Sequence, residues 1–205
     1  MLREHPIIAV LRASDPRDYG PVIDVLAENG VRSIELTLST PGTLELLPSL
    51  IGRGGAEIGI GTVTTTDQAQ RAIDGGADYL VTPVTRLDLI ELAVRQGVPI
   101  YPGGLTPTEL FYGWNAGAAA VKIFPAETVG PQYASHLRGP FPDLEFVPSG
   151  GITPGDIPAW LAAGAVAVSL GGPLIGDAFR GGSLDALAER TRRVMEIVAE
   201  TRDFR

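Results

Sequence analysis

Sixteen side chains in this 205-residue sequence are lysine or arginine, and fifteen of them are arginine. The exception is Lys122, set in the apolar run AAAVKIFPAE at residues 118–127. Arginine stays protonated, whereas a lysine taken out of water can lose its proton and attack a carbonyl carbon. Glu35, in SIELTL (33–38), is a carboxyl able to move protons. Strand side chains alternate, so Glu35 and Thr37 share one face, opposite Ile34, Leu36 and Leu38. The same rule groups Ala120, Lys122 and Phe124 against Val121 and Ile123. With the apolar faces turned to helices, Glu35 and Lys122 point into one interior. A nucleophilic amine and a proton carrier in a water-poor space are what Schiff-base chemistry needs. A structural salt bridge between the two is the alternative that the same spacing allows.

Further candidates close other runs. Arg12 ends the first apolar run on the face of Val10, where a guanidinium suits a substrate carboxylate; an ordinary surface arginine is the other reading. Thr62 ends GIGTV, and Thr82 with Pro83 ends LVTPV. Their hydroxyls could orient a carboxylate or cap the next helix, although Thr65 or Thr66 is the better cap for TDQAQ. Two diglycines, Gly150–Gly151 in PSGGI and Gly171–Gly172 in SLGGP, let an anion approach backbone N–H groups or simply make tight turns. His5 and His136 stand in no metal-ligand spacing, so neither metal nor cofactor is expected. Glycine-rich dinucleotide fingerprints, phosphate loops and nucleophile elbows are missing from the sequence.

Eight runs read as strands: 6–12, 33–38, 57–63, 79–84, 99–104, 120–126, 145–151 and 165–172. Helical patterns such as TDQAQRAIDGGA, RLDLIELAVRQGV and GDIPAWLAAGA lie between them, and about 183–202 forms a last amphipathic helix. The phrases NGV, GGA, QGV, AGA and AGA recur just before strands, a rhythm of βα units. An α/β fold, a single-domain (β/α)8 barrel over residues 1–205, is the expected architecture, with an open doubly wound sheet as the alternative. In such barrels the site lies where strands end and βα loops begin, which is where these candidates fall.

Composition agrees with a packed globule: 44% of residues are hydrophobic and 20% charged. The net charge of −8 disfavours nucleic acid or an anionic membrane as partner while leaving room for a local positive pocket. Without cysteine, disulfides and thiolate chemistry are excluded. No run approaches transmembrane length and no signal pattern opens the chain, so a cytoplasmic protein is expected.

The motifs GVRSIELTL, GTVT, VTP, LTPTEL, VKIFPAE, VGPQY, GPFPDLEFVPSGGI and AVSLGG, in this order over about residues 6–176, resemble the 2-keto-3-deoxy-6-phosphogluconate aldolase family, which includes 4-hydroxy-2-oxoglutarate aldolase activity. The resemblance implies a metal-free class I aldolase on a homotrimeric (β/α)8 scaffold, acting on a small-molecule keto acid. In it Lys122 would form the Schiff base and Glu35 would move protons. Thr62 and Ser149, the latter matching the usual threonine of PTGG, would border the pyruvyl group, and Pro83 would line the pocket. Two positions depart from the pattern. Ser39 stands where some members carry arginine, which turns attention to Arg12 for the carboxylate, and Gly172 stands where relatives often have a serine hydroxyl for phosphate. A barrel isomerase or synthase using Lys122 only as a cation, and a non-catalytic sugar-acid binding protein, are the competing functions.

Overall fold

Nine short strands alternate with helices along the computed structural model, which describes residues 2–203. The strands are β1 (Ile7–Leu11), β2 (Ser33–Thr37), β3 (Glu57–Gly61), β4 (Leu80–Val81), β5 (Ile100–Tyr101), β6 (Gly103–Gly104), β7 (Val121–Ile123), β8 (Phe146–Pro148) and β9 (Val168–Leu170). The helices are α1 (Tyr19–Glu28), α2 (Thr43–Leu46), α3 (Thr66–Asp74), α4 (Leu87–Arg95), α5 (Pro107–Asn115), α6 (Gly130–Leu137), α7 (Ile157–Ala162), α8 (Gly172–Ile175) and α9 (Leu184–Asp203). All strand pairings are parallel. One sheet has six strands in the order β5-β4-β3-β2-β1-β9, and a second has three, β6-β7-β8.

The run expected as one strand over 99–104 is divided into β5 and β6, because Pro102 has no N–H to donate to a ladder. Its carbonyl still serves: Lys122 N donates to Pro102 O at 2.8 Å, and Ala119 N to Ile100 O at 3.2 Å. On the far side, Val166 N donates to Phe146 O at 3.0 Å, linking β8 to the segment entering β9. Backbone hydrogen bonds thus join the two sheets at both borders of the smaller one.

Strand alternation divides the apolar residues into two groups. Outward residues such as Ile34, Leu36, Ile58, Ile60, Leu80, Val121 and Ile123 pack against the helices in the large core. Complete burial of one such side chain stabilises the fold by about 1.5–3 kcal/mol. Inward residues, among them Ile8, Tyr79, Val81, Tyr101, Ala120 and Val147, form a smaller cluster on the concave side. Helix starts follow local chemistry. Thr65 accepts from Gln68 N at 3.2 Å while the Gln68 side chain accepts from Thr65 N, a capping box that starts α3; Thr106 and Glu109 start α5 likewise. The glycine of each repeated phrase, Gly30, Gly76, Gly97, Gly117 and Gly164, has a φ between +70° and +99°, which reverses the chain after a helix.

Candidate active site

The carboxyl ends of the strands surround a cavity of about 350 Å³. Arg12, Glu35, Thr62, Pro83, Lys122, Ser149, Gly150, Gly151, Gly171 and Gly172 all line it, so these ten candidates from the sequence meet in one place. Thr37, Phe124 and Ser169 line it too. Thr82 does not; its hydroxyl donates to the carbonyl of Val84 and shapes the loop instead.

Lys122 comes from the middle of β7 and is 8% exposed. Among the described residues it forms no ion pair within 4.0 Å, and the Phe124 ring lies with its centroid 5.1 Å from Nζ. The salt bridge that the sequence allowed between Glu35 and Lys122 is therefore not formed. Glu35, from β2, is 1% exposed, and its Oε2 is buried without a hydrogen-bond partner in the protein. Room for this carboxylate comes from β3. A Cβ on Gly61 would stand 1.8 Å from Glu35 Oε1, so only glycine leaves the space.

Around these two groups the lining mixes apolar side chains with hydroxyls and glycines and carries one further charge, the Arg12 guanidinium. Arg12, just past the end of β1, is exposed and forms no ion pair among the described residues. Thr62 follows β3 with φ at +63°, the left-handed region that a β-branched residue rarely enters and that costs of the order of 1–3 kcal/mol. Thr37 Oγ1 and Ser39 Oγ lie 2.8 Å apart. The glycine loops turn their carbonyls into the fold: Gly150 O accepts from Glu127 N at 3.0 Å, Gly171 O from Leu174 N and Ile175 N at 3.0 Å, and Gly172 O from Gly176 N at 2.7 Å. Their N–H groups are what remains for an anion.

A second cavity of about 690 Å³ adjoins the first and shares Val10, Arg12, Gly171 and Gly172 with it. Arg180 lines its other side, and no carboxylate lines it. Although the chain carries a net charge of −8, this end of the molecule presents guanidinium groups to small anions. Sequence reasoning missed Arg180 because an arginine in a glycine-flanked loop carries no periodicity. Ser169 was legible in principle, since it faces the same side of β9 as Gly171. Among the described residues no group of three or more His, Cys, Asp and Glu side chains could hold a metal ion, and no helix is long and apolar enough to cross a membrane.

An α/β protein with a curled parallel sheet, a cavity at its strand ends and a buried amine in that cavity has the build of an enzyme. The profile of the KDPG and KHG aldolases matches residues 1–190, and the chain belongs to that family. It is 34% identical to the 2-dehydro-3-deoxy-6-phosphogalactonate aldolase of Escherichia coli K12 over 172 residues, 82% of this chain and 84% of the relative. A solved structure of native KDPGal is 30% identical, with a TM-score of 0.89 over 97% of this chain and 96% of that one. The KDPG aldolase of Legionella pneumophila, captured with pyruvate as a covalent carbinolamine, is 27% identical with a TM-score of 0.86 over 93% and 94% of the two chains. The protein is accordingly an aldolase, a carbon–carbon lyase.

Proposed function

We propose that Lys122 is the Schiff-base lysine of a class I aldolase that reversibly cleaves a 2-keto-3-deoxy sugar acid to pyruvate and an aldehyde. The observation that carries this reading is a buried lysine, held by no carboxylate, in a cavity that also receives Glu35. The carbinolamine captured in the Legionella relative supports it.

Lys122 Nζ, as the free amine, adds to the C2 ketone and forms a carbinolamine; loss of water gives the iminium. The Glu35 carboxylate takes the proton of the C4 hydroxyl as the C3–C4 bond breaks. The electron pair of that bond moves toward the iminium nitrogen, leaving an enamine and releasing the aldehyde. Protonation of the enamine carbon by Glu35, then hydrolysis, frees pyruvate and the amine. Arg12 and Thr62 hold the keto-acid carboxylate, and Ser149 and Pro83 border the pyruvyl carbon chain. The N–H groups of Gly150, Gly151, Gly171 and Gly172 receive the distal anion, with Arg180 as the side-chain cation on that side.

The substrate is 2-keto-3-deoxy-6-phosphogluconate or a close relative: the galactonate epimer, the unphosphorylated acid or 4-hydroxy-2-oxoglutarate. Comparing kcat/KM across these four separates them. In this reading the two sheets are one (β/α)8 barrel, supported by the hydrogen bonds at both borders of the smaller sheet, and it forms a single domain over residues 1–205, of which 1, 204 and 205 lie outside the described residues. A cytoplasmic homotrimer completes it. Exposed Val84, Leu87, Val94, Phe111 and Tyr112 offer apolar surface for contact between copies.

The test is reduction with borohydride in saturating pyruvate. Lys122 is the only lysine, so the expected product is one pyruvate-derived mass on peptide 118–127, with activity lost. Lys122→Arg keeps the charge but cannot offer a neutral amine, and the protein should be inactive. An unmodified peptide together with an active Lys122→Arg protein overturns the proposal.

A further inference from the structure

Two of the buried polar atoms without a partner in the protein are Glu35 Oε2 and the hydroxyl of Tyr79, and both lie on the inner side of β3. Tyr79 is 1% exposed and belongs to the inner cluster, packed beneath the cavity with Ile8, Val81 and Tyr101. Its ring covers Gly59, where a Cβ would stand 2.1 Å from Cε2 and 2.4 Å from Cζ, the carbon that bears the hydroxyl. Glu35 covers Gly61 in the same way, with Cδ 2.4 Å from the Cβ position. Gly59 and Gly61 are successive inward positions of one strand, about 7 Å apart. The two atoms do not bond each other directly; a single water, which makes about two to four hydrogen bonds, is what could join them.

The chemistry of each group fits the other. Burial first, and then the negative charge of Glu35, push the Tyr79 hydroxyl well above the usual phenol range, so it keeps a proton that it can donate. Glu35 Oε2 can only accept when ionised. The Tyr101 ring, tilted at 43° with its centroid 5.4 Å away, holds the Tyr79 ring in place.

We propose that Tyr79 is a positioning residue for Glu35, its phenol donating to one water that in turn donates to Oε2 and so aims the carboxylate at the reacting atoms. The inference rests on the proton-carrying role of Glu35 given above. It explains why β3 carries glycine at two successive inward positions: one makes room for the carboxylate, the other for the ring that steers it.

Tyr79→Phe removes the hydroxyl and keeps the ring. The expected result is a five- to twentyfold fall in kcat, with KM within twofold of the parent and borohydride trapping of pyruvate on Lys122 undiminished. In a Glu35→Gln background the same change should leave the residual rate untouched, since no proton carrier remains to be steered. An idle hydroxyl makes the opposite forecast, because Tyr79→Phe would then only relieve an unpaired buried group. A Tyr79→Phe protein with parental kcat, or an equal loss in both backgrounds, overturns the proposal. If Lys122 is trapped and Glu35→Gln is inactive while Tyr79→Phe is fully active, the inference about Tyr79 alone fails. If Glu35→Gln keeps full kcat, the role of Glu35 fails with it.

Discussion

Gly61→Ala offers a way to move the Glu35 carboxylate without touching it. Gly61 has no positive φ, so alanine is acceptable to the backbone; the conflict is entirely with the neighbouring side chain. The new methyl would meet Oε1 at 1.8 Å, Cδ at 2.4 Å and Cγ at 2.6 Å, all closer than carbon and oxygen tolerate. To restore contact distance, the carboxylate must retreat by more than an ångström. A displacement of about 1 Å in a catalytic constellation costs roughly 100-fold in rate. Overpacking adds a stability cost of about 1–3 kcal/mol, equivalent to a Tm lower by roughly 2–12 °C at this chain length. Steady-state kinetics on the aldol cleavage, a thermal melt and borohydride trapping of pyruvate together check the reasoning. The expectation is a kcat near one-hundredth of the parent, a folded protein and a Lys122 still able to form the imine. A folded Gly61→Ala protein with kcat within threefold of the parent would refute the claim that the position of this carboxylate governs turnover.

Arg12→Lys retains charge but loses the two-pronged guanidinium, and pyruvate should bind about tenfold more weakly by calorimetry; equal affinity would move the carboxylate clamp elsewhere. Thr62→Gly relieves the left-handed strain while deleting a cavity hydroxyl, so the Tm should hold or rise as kcat/KM falls; a fall in both would mean that the φ value is harmless. Arg180→Ala should lower kcat/KM about tenfold or more for a phosphorylated substrate and leave the unphosphorylated acid unaffected, read from the ratio of the two. Burial raises the Tyr101 hydroxyl from 10.0 to about 12, so the folded state favours the protonated phenol. Its contribution, of the order of 3 kcal/mol, is complete below pH 10 and disappears as pH rises toward 12. Chemical denaturation between pH 9 and 12 should show this loss, and Tyr101→Phe should flatten it; identical slopes would remove Tyr101 as the source.

The amine and its carboxylate were legible because strand alternation is a local rule: SIELTL and AVKIFPA need no knowledge of the rest of the chain to sort their faces. The strand ends were legible for the same reason, since glycine, proline and threonine mark them. The distance between Glu35 and Lys122 was not. It depends on where two strands stand around the sheet, and the salt bridge that the residue types allowed is absent at that distance. The space for the carboxylate was equally hidden, because the alternation of Ile58 and Ile60 with Gly59 and Gly61 looks like a weak strand until the side chains that fill the gaps are seen. Pro102 carried a readable warning, the missing donor, yet its effect was to divide one run into two short strands and keep the path of the chain. The backbone angle of Thr62 had no sequence signal, because threonine is a poor residue for that conformation and its presence reflects the cavity around it.

The placement of Lys122 has a practical side. An exterior bare of lysine has, apart from the α-amino group of the chain, no primary amine for acylating dyes, aldehyde crosslinkers or amine-reactive resins to find. Reagents that usually coat a protein at random would here act as titrants of a single interior position. A bulky activated ester should fail to label the folded protein where a small keto acid with hydride succeeds. Immobilisation through amines would hang every molecule from one terminus, all in the same orientation. Counting subunits would call for carboxylate- or tyrosine-directed crosslinkers, because the commonest reagents have no surface lysine to join.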